Sequence, residues 1–318
     1  MFLDIPRLIR PVSIGPGIMG QGTDQQPLRV GIDQAHADGA TVVWCHNRFG
    51  FEDVPNWIAG RLDAVNIMDG SAHGTYADSF YRYLDLGDRV PFSPGTDWTI
   101  YDFSRVYVPV AGELTTNRWL SALRRGESYM TNGPCLEFEV DGQRTGGTIA
   151  LRQPGAVRVR GRAIGRVNFQ ALELVYNGTT LHVADSAVTD SGAYMAELDT
   201  SVDVTESGWL AVRIPQEAGR NEFDQPLFAH TSPVYVDVDG RRLFRAEVAR
   251  ELIGEMEANI REIESKGVFA DDAERDRVID VHRDGIKTLQ QRVQTDVVPG
   301  VSAIGQVDPG GFCSRGGR

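Results

Sequence analysis

Apolar positions along the chain change their period three times, and each change marks a different kind of structure. From about residue 28 to 125, short apolar runs alternate with helical patterns. LRVGIDQAHADG reads as a helix ending at Gly39, TVVWC as a buried strand, the stretch near Val54 to Ala59 as a short helix and DAVNIM as a second strand. A longer helix follows around Tyr76 to Leu86, then strands in RVPFS and RVYVPV, then a helix in TTNRWLSALRRG capped by Thr115 or Thr116. Strands and helices in strict alternation predict a parallel sheet with crossover helices, here a piece of a (β/α) barrel.

After Gly133-Pro134 the period becomes two. LEFEVDG, VRVRGRA, FQALELVYNGTTLHVA, YMAELDT, GWLAVRIP and PVYVDVDG follow one another with turn residues between them, which predicts an all-β sandwich. Asn177-Gly178, between two apolar runs, predicts a type I′ hairpin turn rather than a glycan acceptor. From Phe244, the residues Val248, Leu252, Ile253, Met256, Ile260 and Ile263 fall on one helical stripe that stops at Gly267. Asp271 or Asp272 then caps a second helix running to about Val293, and the Gly-rich, aperiodic remainder is expected to be disordered. The expected organisation is therefore α/β plus all-β: a partial barrel over 1–133, a β-sandwich over 134–243, a helical hairpin over 244–293 and a tail over 294–318.

A chain of 318 residues is long enough for two cores. None of its apolar runs approaches the roughly 18 residues of a membrane helix, so no membrane span is expected. A net charge of -12 disfavours a nucleic acid partner, because phosphate backbones are bound mainly through clustered Lys and Arg. A small-molecule substrate is the better expectation. Cys45, Cys135 and Cys313 include no CxxC spacing, so neither a disulfide framework nor a thiolate zinc site is indicated, and a reducing, cytoplasmic setting is expected. The opening MFLDIPRLIRPVSIG is interrupted by Pro6 and Arg7 and does not read as a signal peptide.

In a parallel α/β barrel the chemistry sits where strands end, since the loops after the strands converge on that face. After TVVWC come His46 and Asn47, after the second strand Asp69 and His73, and after the third Asp97 in SPGTD. Imidazole and carboxylate groups on successive loops of one face suit a zinc, manganese or iron site. Each residue also has a plainer use: His46 as a core histidine satisfied by backbone, Asp97 as a turn residue, His73 as a solvent-facing residue in a Gly-flanked loop. Position after strands favours His46 and Asp97 as ligands. Glu52 and Asp53 read as caps of the next helix, Tyr176 and Trp209 as core residues of alternating strands, and His282 as a solvated residue among charges.

The runs RPVSIGPGIMGQGTD, GATVVWCHNRFG, RLDAVNIMDGSAHGTYADSFYRYLDLGDRVPFSPGTDW, SRVYVPV and SYMTNGPCLEFEVDG together resemble the CehA/McbA branch of the PHP superfamily, the carbaryl-hydrolase-like metallohydrolases. The resemblance spans about residues 10 to 290. It implies a distorted (β/α) barrel that binds divalent metal at the carboxyl ends of its strands, with His46 and Asp97 as ligands and His73 near the pocket. Asn47 and Asp69 are further candidates for substrate or metal contact. It also implies hydrolysis of an ester, carbamate or phosphoester by metal-activated water. Members of that branch open the barrel with an HxH motif, which this sequence does not contain, and Thr99 stands two residues after Asp97 where the superfamily often has histidine. The chain is thus expected to be the C-terminal portion of such an enzyme, completed by an N-terminal fragment or assembled as a homo-oligomer. The competing expectation is a non-catalytic β-sandwich that binds a ligand or partner beside a vestigial barrel.

Overall fold

A computed structural model describes residues 1–10, 26–45, 52–67, 76, 80–95, 104–215 and 217–297. The fold is mixed α/β, with several sheets and two C-terminal helices, and no closed barrel is present among the described residues.

The first part consists of β1 (Phe2–Leu3), α1 (Leu28–Ala37), β2 (Thr41–Trp44), α2 (Asp53–Ile58), β3 (Ala64–Asn66), α3 (Arg82–Asp85) and β4 (Phe92–Ser93). Its sheet has the order β1-β2-β3-β4, with β2, β3 and β4 parallel and β1 antiparallel on the edge. Every residue of TVVW and AVN is buried, as expected of parallel strands covered on both faces. Gly39, at φ +85°, supplies the left-handed turn that lets the chain pass from α1 into β2 within a few residues.

Next come β5 (Arg105–Tyr107), α4 (Thr116–Arg124) and β6 (Tyr129–Thr131). Thr115 caps α4 as expected, its hydroxyl accepting from the Arg118 amide at 3.3 Å. The expectation that RVYVPV extends the parallel sheet is corrected: β5 pairs antiparallel with β6, Arg105 opposite Thr131. Arg105 and Tyr107 are exposed and only Val106 is partly covered. Such a strand suits a sheet edge and not a position buried on both faces.

The remaining strands are β7 (Cys135–Val140), β8 (Gln143–Arg144), β9 (Thr148–Leu151), β10 (Gly155–Gly165), β11 (Ala171–Tyr176), β12 (Thr179–Asp185), β13 (Ala187–Val188), β14 (Tyr194–Val204), β15 (Gly208–Arg213), β16 (Ala229–Thr231) and β17 (Val234–Val238). One sheet has the order β13-β14-β10-β7-β8; the other runs β12-β11-β15-β16-β6-β5, with β17 also on β15 and β9 parallel to β17. Leu136, Val159, Leu172, Val202, Val212 and Val236 share one apolar core formed by residues of both sheets. Asn177 (φ +47°) and Gly178 (φ +83°) make the hairpin turn between β11 and β12 that their sequence predicts.

Trp209, Ala211, Met130 and Phe228, on the other face of the larger sheet, join Tyr81, Tyr83, Leu84 and Phe92 in a second core. Strand β15 is therefore covered on both faces, and GWLAVR is buried at five of its six positions. Trp209 is a core residue, its indole N–H 3.4 Å from a carboxylate oxygen of Asp85.

Helices α5 (Ala246–Lys266) and α6 (Asp272–Val297) form the C-terminal pair. Leu252 and Met256 of α5 and Leu289 of α6 enter the same core as Val54 and Trp57 of α2. Gly285 permits this approach, since a Cβ there would meet Pro55 Cα at 3.2 Å. Asp271 is the α6 cap, its carboxylate accepting from the Glu274 amide at 2.7 Å. His282, expected in solvent, is fully buried. It lies four residues after buried Val278, on the inner face of α6, while Asp280 and Arg283 pair with each other outside. α6 continues to Val297, past the expected end near Val293, and residues 298–318 lie outside the described residues.

Candidate functional site

Strands β2, β3 and β4 lie side by side and run the same way, with Val43 opposite Ala64 and Val65 opposite Phe92. Their carboxyl ends therefore share one edge, marked by Cys45, Asn66 and Ser93. Asn66 is buried, its amide N–H 3.0 Å from the Cys45 sulfur. Its Oδ1 meets no donor among the described residues. Ser93, also buried, donates to the Pro94 carbonyl at 3.3 Å. A buried acceptor left unsatisfied costs about 1–3 kcal/mol, so this edge is disposed to receive a cation, a water or a ligand N–H. The Asn66 amide oxygen is of a ligand type that a hard divalent ion accepts.

His46, Asn47, Asp69, His73 and Asp97 lie outside the described residues. The described structure brings together the three strands that precede them: β2 leads to His46 and Asn47, β3 to Asp69 and His73, and β4 to Asp97. Among the described residues no group of three or more His, Cys, Asp or Glu side chains is gathered closely enough to hold a metal ion.

Glu52 is the described carboxylate that sequence reasoning undervalued. It precedes α2, but its side chain caps α1 instead, accepting from the Leu28 amide at 3.1 Å and the Arg29 amide at 3.4 Å. Pro27, at the start of α1, gives that helix no side-chain cap of its own. Burial pushes the Glu52 carboxyl up to about 7, against the opposing pull of these amides and of Asn56. The carboxyl is fully buried, so this raised value bears on the stability of the fold. Glu-Asp before Val-Pro carries no local signal for a cap on a helix more than twenty residues upstream. Asp53 is buried and accepts from the Tyr83 hydroxyl at 3.3 Å.

A second polar cluster sits where the first part meets the larger antiparallel sheet. His230 of β16 is fully buried, with Nδ1 2.6 Å from the Thr231 carbonyl and Nε2 2.8 Å from the Tyr81 hydroxyl. A carbonyl only accepts, so Nδ1 carries the proton and Nε2 accepts from Tyr81. The Tyr81 oxygen in turn accepts from Arg213 at 2.9 Å, and Arg213 pairs with Glu173 at 2.7 Å. Burial pushes His230 down to about 3, with Arg213 adding to the effect and the Thr231 carbonyl opposing it. Every polar atom of this chain of bonds is satisfied with His230 neutral, which makes it a structural joint between the two cores.

No protein-family description, curated protein or solved structure matches the chain. Among the described residues no helix is long and apolar enough to cross a membrane.

Proposed function

We propose that the chain is the C-terminal portion of a divalent-metal-dependent hydrolase of the CehA/McbA type. The parallel strands would belong to a PHP-type barrel, and the two antiparallel sheets with their shared core would form the β-sandwich beside it. The observation that carries this proposal is the common carboxyl edge of β2, β3 and β4, because each of the candidate residues follows one of these three strands. In this proposal His46 and Asp97 hold zinc or manganese, with iron as a third choice, and Asn47, Asp69 and His73 contact substrate or metal. A bound divalent ion supplies an activated water and polarises the scissile carbonyl or phosphoryl oxygen. The chain itself contributes the buried Asn66 amide, whose unsatisfied oxygen would accept from a ligand or coordinate the ion, and a thiol at Cys45 beside it. The substrate is a small ester, carbamate or phosphoester, and further ligands come from an N-terminal fragment or a second copy of the chain.

The test is hydrolysis of an aryl acetate, an aryl carbamate and an aryl phosphodiester by the purified chain with added zinc or manganese. Turnover that a chelator abolishes, and that falls at least about 100-fold in Asp97→Ala, is expected. Turnover indifferent to chelator and to both His46→Ala and Asp97→Ala would overturn the proposal.

A further inference from the structure

The opposite edge of the parallel strands carries a different chemistry. A cleft of about 1180 Å³ is lined by Arg89, Arg118, Arg124, Arg125 and Arg144, with Glu127 as its one carboxylate. Arg124 donates to the hydroxyl of Thr41, the first residue of β2, at 3.1 Å, and Arg89 stands just before β4. The cleft thus lies at the amino ends of these strands, away from the edge to which the proposed metal ligands belong.

Close packing of two glycines gathers these arginines from separate elements. Gly146 adopts φ +79°, and a Cβ there would meet the Arg125 carbonyl at 2.2 Å and Gly126 at 2.8 Å. Only glycine lets the β8–β9 turn seat on the end of α4, which brings Arg144 beside Arg124 and Arg125. The loop before α4 is held in the same way, since the Arg118 guanidinium donates to the Ala111 carbonyl at 3.3 Å and the Glu113 carbonyl at 2.9 Å.

Charge is unevenly spent here. Glu127 is already taken by Arg125 in a two-pronged pair at 2.7 and 2.9 Å. Arg89 leans on Asp237 at 3.5 Å and over the Tyr235 ring at 5.1 Å. Arg118, Arg124 and Arg144 have no carboxylate partner among the described residues. In a chain of net charge -12, a concave wall of guanidinium groups with so little compensation concentrates positive potential locally. Guanidinium forks match phosphate and carboxylate oxygens in pairs. A volume slightly above the roughly 300–1,000 Å³ range of small-molecule sites leaves room for a ligand with several anionic groups, and the overall acidity disfavours a nucleic acid.

We propose that this cleft binds a small polyanion bearing several phosphate or carboxylate groups, at a site separate from the candidate metal centre. The inference does not depend on hydrolase activity. The test is calorimetric titration of the full chain with tripolyphosphate and with citrate at low salt, using wild type, Arg144→Glu, Arg118→Ala and, as a distant control, Arg166→Ala. Saturable binding is expected that weakens at least about tenfold in Arg144→Glu and Arg118→Ala, is unchanged in Arg166→Ala and fades as salt is raised. Tripolyphosphate binding without citrate binding assigns the site to phosphates, and equal binding assigns it to either oxyanion. Circular dichroism of each variant confirms folding, and Arg144→Glu is the deciding variant because no described contact holds that side chain in place. Absence of saturable binding by both anions, or equal affinity in wild type and Arg144→Glu, would overturn the proposal.

Discussion

Buried ionisable side chains set the response of this protein to pH, and they pull in opposite directions. Burial raises Glu52 to about 7 and raises Asp85 and Asp88 to about 6, against the Trp209 and Arg245 contacts of Asp85 and the Arg292 contact of Asp88. A carboxyl raised in the folded state contributes stability that is fully present below its unfolded value, 3.8 for the aspartates and 4.5 for Glu52, and lost as pH climbs through 6 to 7. His230 is the reverse: held down to about 3, it contributes stability present above its ordinary 6.5 and lost as pH falls below it. Replacing Glu52 by Gln keeps one acceptor oxygen, for the nearer Leu28 amide, gives up the second at Arg29, and removes the buried charge. The stability of Glu52→Gln relative to wild type is therefore expected to rise by on the order of 3 kcal/mol between pH 4 and pH 8. Urea unfolding at both pH values measures this, and a difference that does not change with pH would refute the assignment. Tyr81→Phe removes the hydroxyl that serves both His230 and Arg213. Its expected cost is about 2 kcal/mol in denaturant unfolding, and a neutral outcome would show that the joint bears no strain when opened.

Elements with a clear period were legible in the sequence, and those defined by their partners were not. Helices α1, α4, α5 and α6 and strands β2, β7, β10, β14 and β15 fall where the apolar spacing puts them. The Thr115 and Asp271 caps follow from local chemistry, and Asp271→Ala is expected to lower stability by about 1 kcal/mol, seen as a lower melting temperature. Strand β16 is three residues long, Ala229–Thr231, and acquires its identity only by pairing with β6 and β15. β5 was visible as a strand, but its sheet was decided by β6 across a long sequence separation. The carboxyl edge of β2, β3 and β4 was likewise legible from strand order. Glu52 was misassigned because its α1 partners come from tertiary packing, which no local pattern encodes. His282 was misplaced because the charges beside it dominate its local composition while the helical phase turns it inward.

Over the whole molecule, the larger antiparallel sheet is shared, with one face in each of two cores. The C-terminal helices complete the core that contains Trp209, since Ala249, Leu252, Met256 and Leu289 pack with Val54, Trp57 and Leu84. Ending the chain at residue 244 is expected to expose that apolar surface and abolish cooperative unfolding, and a soluble monomer with an unchanged melting transition would contradict it. The parallel strands and their common carboxyl edge are what this packing holds in place, and the metal-dependent hydrolase proposal rests on that edge. The most direct test is metal content and calorimetric zinc and manganese binding for the purified chain, beside His46→Ala and Asp97→Ala. Stoichiometric metal in the wild type that both substitutions remove is the expected result. Metal no higher than background, or metal retained in both variants, would contradict a centre built on His46 and Asp97.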